Sequence, residues 1–206
     1  MQNSKKCAII IALVLFFLTF SICYAETSPM GCIKKNFDEI VSILKSPSFK
    51  QKTEKEQQDQ IYEKLCSSFD FRIISMLALG RNWKRFSPSQ KVEFSKYFSK
   101  LITNVYLSRI RGADLDDIKV DYLKVIDLKT KAKRSDVYTM LHHNDVKTPV
   151  VYRMIKKDSD SWKTYDVLIE GVSLIANYRE TYREKAMVPP VTIINELKAK
   201  FKNEET

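Results

Sequence analysis

The stretch TPVVYRMIKKDSDSWKTYDVLIEGVSLIANYR, residues 148–179, changes its hydrophobic period partway along and decides the reading of the fold. Thr148–Lys157 and Ser161–Ile169 alternate and are rich in Val, Ile and Tyr, with only Asp158, Ser159 and Asp160 between them. That pattern predicts two strands joined by a tight turn. After Glu170-Gly171 the period becomes helical, with Val172, Ile175, Tyr178 and Tyr182 on one side.

Working outward, Ile118–Leu128 and Asp136–His143 alternate in the same way. The gaps Lys129–Ser135 and Asn144–Lys147 are short and polar, so four strands are expected in an antiparallel meander. Upstream the chain reads as helices. Ile33, Phe37, Ile40, Val41 and Leu44 form one stripe, and Ile61, Leu65 and Phe69 another. Asp70 is placed to cap a helix starting at Phe71, with Phe69 and Ile74 as its hydrophobic staple and Gly80 as its stop. Ser87-Pro88-Ser89-Gln90 is a capping box with proline at the first helical position, opening a helix to about Arg111, near Gly112. Its stripe is Phe94, Phe98, Leu101, Val105 and Ile102. A last short helix is expected around Thr192–Lys202. Helices, then a sheet, then helices define an α+β class: a four-stranded antiparallel sheet packed with several helices. Val150, Tyr152 and Met154 stand on one strand parity, with Val151 and Ile155 on the other. Both faces of the sheet are therefore shielded, or one lines something apolar.

Lys5-Lys6, an uncharged apolar run from Cys7 to Cys23, and the end Cys23-Tyr24-Ala25 have the layout of a secretory signal peptide, residues 1–25. The competing reading is an uncleaved anchor at the lower length limit for a span. Cleavage after Ala25 leaves residues 26–206 as one domain and lowers the formal charge from +10 to +8. An exported basic protein meets lipid head groups or acidic partners rather than nucleic acid. Cys32 and Cys66 remain after cleavage and are a disulfide candidate in an oxidising compartment. If the first two helices run antiparallel about the turn at Ser46-Pro47-Ser48, position 32 lies opposite the mid-sixties. Two buried free thiols are the alternative.

The sequence holds no convergent catalytic set, and no catalytic residue and no metal site are expected. His142 and His143 are adjacent in a predicted strand and point to opposite faces, which prevents both from serving one metal without a bulge. No Gly-rich phosphate loop, CxxC pair or nucleophile elbow is present. Asp166, beside Tyr165, and Glu170 are the carboxylates nearest to aromatic strands. A buried acid next to tyrosines suits a small hydrolase or isomerase. It equally suits a structural hydrogen bond to an arginine or a backbone amide. The chain has 10 tyrosines and 11 phenylalanines, and their spacing alone does not separate a filled core from a lined pocket.

Two blocks go further. Phe69-Asp70-Phe71, Met76, Leu79-Gly80 and Trp83 lead into Ser87-Pro88-Ser89-Gln90, Phe94, Phe98 and Tyr106. The second block is Val151-Tyr152-Arg153-Met154, Trp162-Lys163-Thr164-Tyr165-Asp166-Val167, Glu170-Gly171-Val172-Ser173-Leu174 and Asn177-Tyr178-Arg179. Together they resemble the MlaC family, the periplasmic component of the maintenance-of-lipid-asymmetry pathway, also called toluene-tolerance proteins. The resemblance implies a sheet curved against helices around a deep apolar lipid cavity, and a periplasmic phospholipid shuttle without cofactor. It also implies docking to an outer-membrane lipoprotein complex and to an inner-membrane ABC transporter complex with an MCE-domain subunit. The carrier is expected to be a monomer. An exported adaptor that binds no lipid is the remaining alternative. Residues expected to line the cavity are Phe94, Phe98, Leu101 and Val105 on the long helix, with Val120, Tyr152, Met154, Tyr165 and Val167 on strands. Strand parity carries this choice, and one bulge inverts it.

Overall fold

The computed structural model describes residues 28–110, 115–130, 133–157 and 161–201. The expected signal peptide, residues 1–25, and the expected helix end at Arg111 and Gly112 lie outside the described residues.

The helices begin where the capping chemistry places them. Helix α1 (Pro29–Lys45) starts at Ser28, whose hydroxyl accepts from the Gly31 amide, and Ser46 then caps the one-turn α2 (Pro47–Lys50). Helix α3 (Glu54–Ser68) opens on a full capping box, Thr53 with Glu56. Asp70 accepts from the Ile73 amide at 2.9 Å and starts α4 (Phe71–Leu79). Gly80, at φ +53°, turns the chain out of α4 into a 3₁₀ segment, Gly80–Arg85. A side chain at that φ is strained, so glycine is required there. The long helix α5 (Pro88–Ile110) opens on the box read from the sequence. The Ser87 amide donates to Gln90 Oε1 at 2.9 Å, and the Gln90 amide donates to Ser87 Oγ at 3.2 Å.

The sheet has five strands in the order β1-β2-β3-β4-β5, all antiparallel: β1 (Lys119–Leu128), β2 (Arg134–His143), β3 (Val146–Lys156), β4 (Trp162–Ile169) and β5 (Val172–Ser173). The expectation of four strands is corrected by the two-residue β5, which folds back on Leu168 and Ile169 across the Glu170-Gly171 turn. Glu170 and Gly171 both have positive φ, and a strand this short carries no alternation from which to read it. Asn144 and Asp145, both at positive φ, close β2 onto β3 as a two-residue hairpin turn. Strand β5 runs directly into α6 (Leu174–Glu184), capped by Ser173, and α7 (Pro190–Ala199) follows.

Seven α-helices among the described residues therefore surround one sheet, an α+β architecture. None of these helices is long and apolar enough to cross a membrane. The first half of α5, with α4, α6 and α7, makes an all-helical core. Phe94 and Phe98 are fully buried in it, 5.2 Å apart by ring centroids. Tyr182 meets Phe94 edge-on at 5.2 Å, and Tyr178 meets Phe98 at 4.9 Å. Helix α1 lies across β1 and β2, and α3 packs against α5 and β4.

Candidate functional site

Two apolar cavities adjoin between the helices and the inner face of the sheet. The larger, about 320 Å³, is walled by Ile33, Phe37, Ile40, Val41 and Leu44 of α1, Tyr106 and Ile110 of α5, and Leu115 and Ile118 beyond it. Leu141, Tyr152 and Thr164 supply its sheet side, and Asn36 and Ser68 are further polar wall residues. The smaller, about 150 Å³, is walled by Phe71, Ile74, Ile102, Val167, Ile169 and Leu174. Leu65, Phe69 and Tyr106 belong to both walls and separate the two spaces.

Local tethers place these walls. The Asp70 amide donates to the Thr164 carbonyl at 2.9 Å, and Lys157 Nζ meets Asp70 Oδ2 at 2.7 Å, so the α3–α4 corner is fixed on β4. Lys64 bridges α3 to α1 by donating to Asn36 and Glu39. Burial and the neighbouring Tyr122 push the Tyr152 hydroxyl up to about 12, so this wall residue is neutral at physiological pH. Apart from that hydroxyl, the Tyr106 hydroxyl and the Asn36, Ser68 and Thr164 side chains, the walls offer carbon. Such a space suits acyl chains and not ionic chemistry.

Of the nine residues expected to line a cavity, the structure places Tyr152 on the wall of the larger space and Val167 on that of the smaller. The other seven stand elsewhere. Phe94 and Phe98 fill the helical core, and Leu101 packs against that core. The long helix does reach the cavities, but through Ile102, Tyr106 and Ile110, which continue the every-fourth-residue row from Phe94 and Phe98. Val105 is half-buried and off both walls. Val120 pairs with Leu141 on β2, and Leu141 rather than Val120 reaches the cavity. Met154 is fully buried in a separate cluster with Ile33 and Val137.

Tyr165 is displaced by a bulge. Met154 pairs with Thr164 and Arg153 with Asp166, so Tyr165 is the extra residue and shares the outer face with Asp166. There the Arg134 guanidinium lies 5.3 Å from its ring centroid. The α1 stripe was legible as a stripe in the sequence. That it walls a cavity depends on where α1 sits over the sheet, which no periodicity records.

Asp166 is 4% exposed and lies on neither cavity wall. Its Oδ2 accepts from Ser173 Oγ at 2.7 Å and from Arg153 Nη1 at 3.2 Å. Its Oδ1 accepts from the amides of Val167 at 2.9 Å and Ile175 at 3.3 Å. Both oxygens are thus committed to holding β4, β5 and the start of α6 together. Glu170 sits in the exposed β4–β5 turn, where its amide donates to the Pro149 carbonyl. His142 Nε2 lies 2.8 Å from Asp121 Oδ2, and His143 contacts Asn144. No cluster of three metal-ligating side chains occurs among the described residues.

Cys32, half-buried, and Cys66, exposed, stand as free thiols. The Lys64 bridge sets Asn36 and Glu39 opposite position 64, so Cys66 faces positions 34–37. Cys32 lies about one helical turn away and packs, as Tyr122, Tyr152 and Trp162 do, against the buried cluster of Ile33, Val137 and Met154.

An antiparallel meander and a helical bundle enclosing apolar cavities define an α+β protein built around an interior lined by carbon. A model of the MlaC protein family matches residues 34–188, and the chain belongs to that family. Among solved structures, a phospholipid-binding protein from Ralstonia solanacearum, in complex with a phospholipid, has the same fold. The match has a TM-score of 0.72 at 18% identity and covers 86% of this chain and 98% of that one. No curated protein sequence matches.

Proposed function

We propose that this protein binds a phospholipid with its tails in the two adjoining cavities and carries it through the periplasm between outer- and inner-membrane complexes. The observation that supports the reading is the pair of adjoining apolar cavities between α1, α3, α5 and the inner sheet face. Family membership and the phospholipid-bound structural neighbour support the choice of ligand. A two-chain phospholipid has roughly 30 methylenes, so exposing its tails to water costs on the order of 25 kcal/mol. A carrier must therefore cover the tails, and it can leave the head group outside. The larger cavity, about 320 Å³, lies at the low end of the roughly 300–1,000 Å³ typical of ligand pockets, and the smaller, about 150 Å³, lies below it. Seating both tails requires α1 and α3 to move away from the sheet, with Leu65, Phe69 and Tyr106 parting to join the two spaces.

The chain on this reading is exported, cleaved after Ala25 and active as residues 26–206, with no chemistry of its own. Fluorescent phospholipid transfer between donor and acceptor vesicles tests the binding and carrying step. The purified protein should accelerate transfer in proportion to its concentration. A rate equal to that of vesicles alone refutes carriage. Crosslinking in cells to outer- and inner-membrane complexes tests the route, and an intact mass beginning at Glu26 tests the export.

A further inference from the structure

At the far end of α4 and α6 from the cavities, the 3₁₀ segment and the α6–α7 loop enclose an open groove of about 680 Å³. Arg81, Arg179 and Arg183 line it, with Gly80 and Ala186 between them. The two segments are tied by the Asn82 side chain, which donates to the Tyr182 carbonyl at 2.7 Å. Arg85 ties them again, donating to the carbonyls of Ala186 and of Val188. Lys84 stands one 3₁₀ turn from Arg81, on the same side of its segment.

The charges here are largely uncompensated. Glu180 pairs with Arg183, and Glu184 is exposed nearby. Among the described residues, however, Arg81, Lys84, Arg85 and Arg179 meet no carboxylate; Arg179 donates to a backbone carbonyl, and Arg85 to two backbone carbonyls and to the Asn82 side-chain oxygen. Directly beside Ala186 the loop presents Met187, 92% exposed, and Val191 is 53% exposed at the start of α7. A methionine held almost wholly in water beside a cationic groove gains nothing from the fold.

We infer that this rim is a docking surface for an anionic bilayer: the arginines and Lys84 meet lipid phosphates while Met187 enters the layer beneath them. Cations at phosphate level beside an apolar tip match the depth profile of a membrane surface. An acidic protein surface would satisfy the arginines but leave Met187 without a role. The groove and the cavities share no wall residue, so docking and lipid carriage succeed or fail separately.

Flotation of the purified protein with vesicles tests this. The wild type should float with phosphatidylcholine vesicles containing phosphatidylglycerol at low ionic strength, and should be released by salt or by omission of the anionic lipid. The exposed pair Arg81→Gln/Lys84→Gln should lower partitioning roughly 25-fold, at about fivefold per basic residue near the surface. Met187→Ser should weaken it several-fold, whereas Lys34→Gln/Lys55→Gln, an equal charge change at exposed positions of α1 and α3, should leave it unaltered. Wild type that stays in bulk with anionic vesicles at low salt overturns the proposal and leaves the groove to an acidic protein. Equal losses in Arg81→Gln/Lys84→Gln and Lys34→Gln/Lys55→Gln overturn it too, because net charge alone would then explain the binding.

Discussion

Placing a carboxylate on the cavity wall, by Val167→Glu, separates a lipid-binding interior from an ordinary core. Val167 walls the smaller cavity on the strand that faces α4 and α5, opposite Ile102 and Tyr106. Without lipid, water admitted to that space can solvate the new side chain. When acyl chains occupy it, the carboxyl must be either desolvated or protonated. Protonating an ordinary glutamate at pH 7 costs about 4 kcal/mol, since its pKa must rise from about 4.3 to at least 7. Borne by the bound state, that is about a thousandfold in affinity. Phosphorus extracted from equal amounts of folded, purified protein should fall below one tenth of the wild-type value. Val105→Glu, half-buried but off both walls, and Lys96→Glu, on an exposed face, should keep their lipid. Equal phosphorus in Val167→Glu and Lys96→Glu would refute the assignment of this wall.

Asp166→Asn leaves Arg153 without its carboxylate and weakens the ties from Ser173 and the Val167 and Ile175 amides. Urea unfolding should show a loss of roughly 2–4 kcal/mol with lipid content intact in the folded fraction; a folded variant that keeps its lipid yet loses a measurable turnover would favour chemistry at this acid. Burial raises the Asp136 carboxyl above its ordinary value despite Arg153 nearby, and its Oδ1 has no partner. The folded state therefore holds that proton more tightly than the unfolded chain. Stability from this group is lost as pH rises from the ordinary aspartate range through the raised value. Asp136→Asn should flatten that fall and be the more stable protein at neutral pH, and identical pH–stability curves for the two proteins would contradict it. Alkylation of the denatured protein without reductant should label both Cys32 and Cys66, whereas a peptide linking them would overturn the α1–α3 register drawn from Lys64.

The elements were readable because capping and period are local. The Ser87/Gln90 box, the Asp70 cap and the strand alternation each involve side chains and backbone a few residues apart. Strand β5 was hidden, since two residues have no period. The cavity was harder to read, because a wall is set by the position of one element over another. Phe94 and Phe98 lie on the same helical row as Tyr106, and only the docking of α6 decides that the first two are core and the last is wall. At Tyr165 a single bulge inverts the parity from which the inner face was read, and it also frees Asp166 to hold α6. The resemblance carried by the Glu170-to-Arg179 block named the family where the arrangement of side chains could not be deduced.

The measurement closest to the central claim is native mass spectrometry of residues 26–206, purified from the compartment in which they fold, without detergent. A species heavier than the polypeptide by the mass of a diacyl phospholipid is expected, and collisional activation should release that mass as an intact lipid. A spectrum containing the bare polypeptide alone, from protein that also takes up no labelled phospholipid from vesicles, would contradict it.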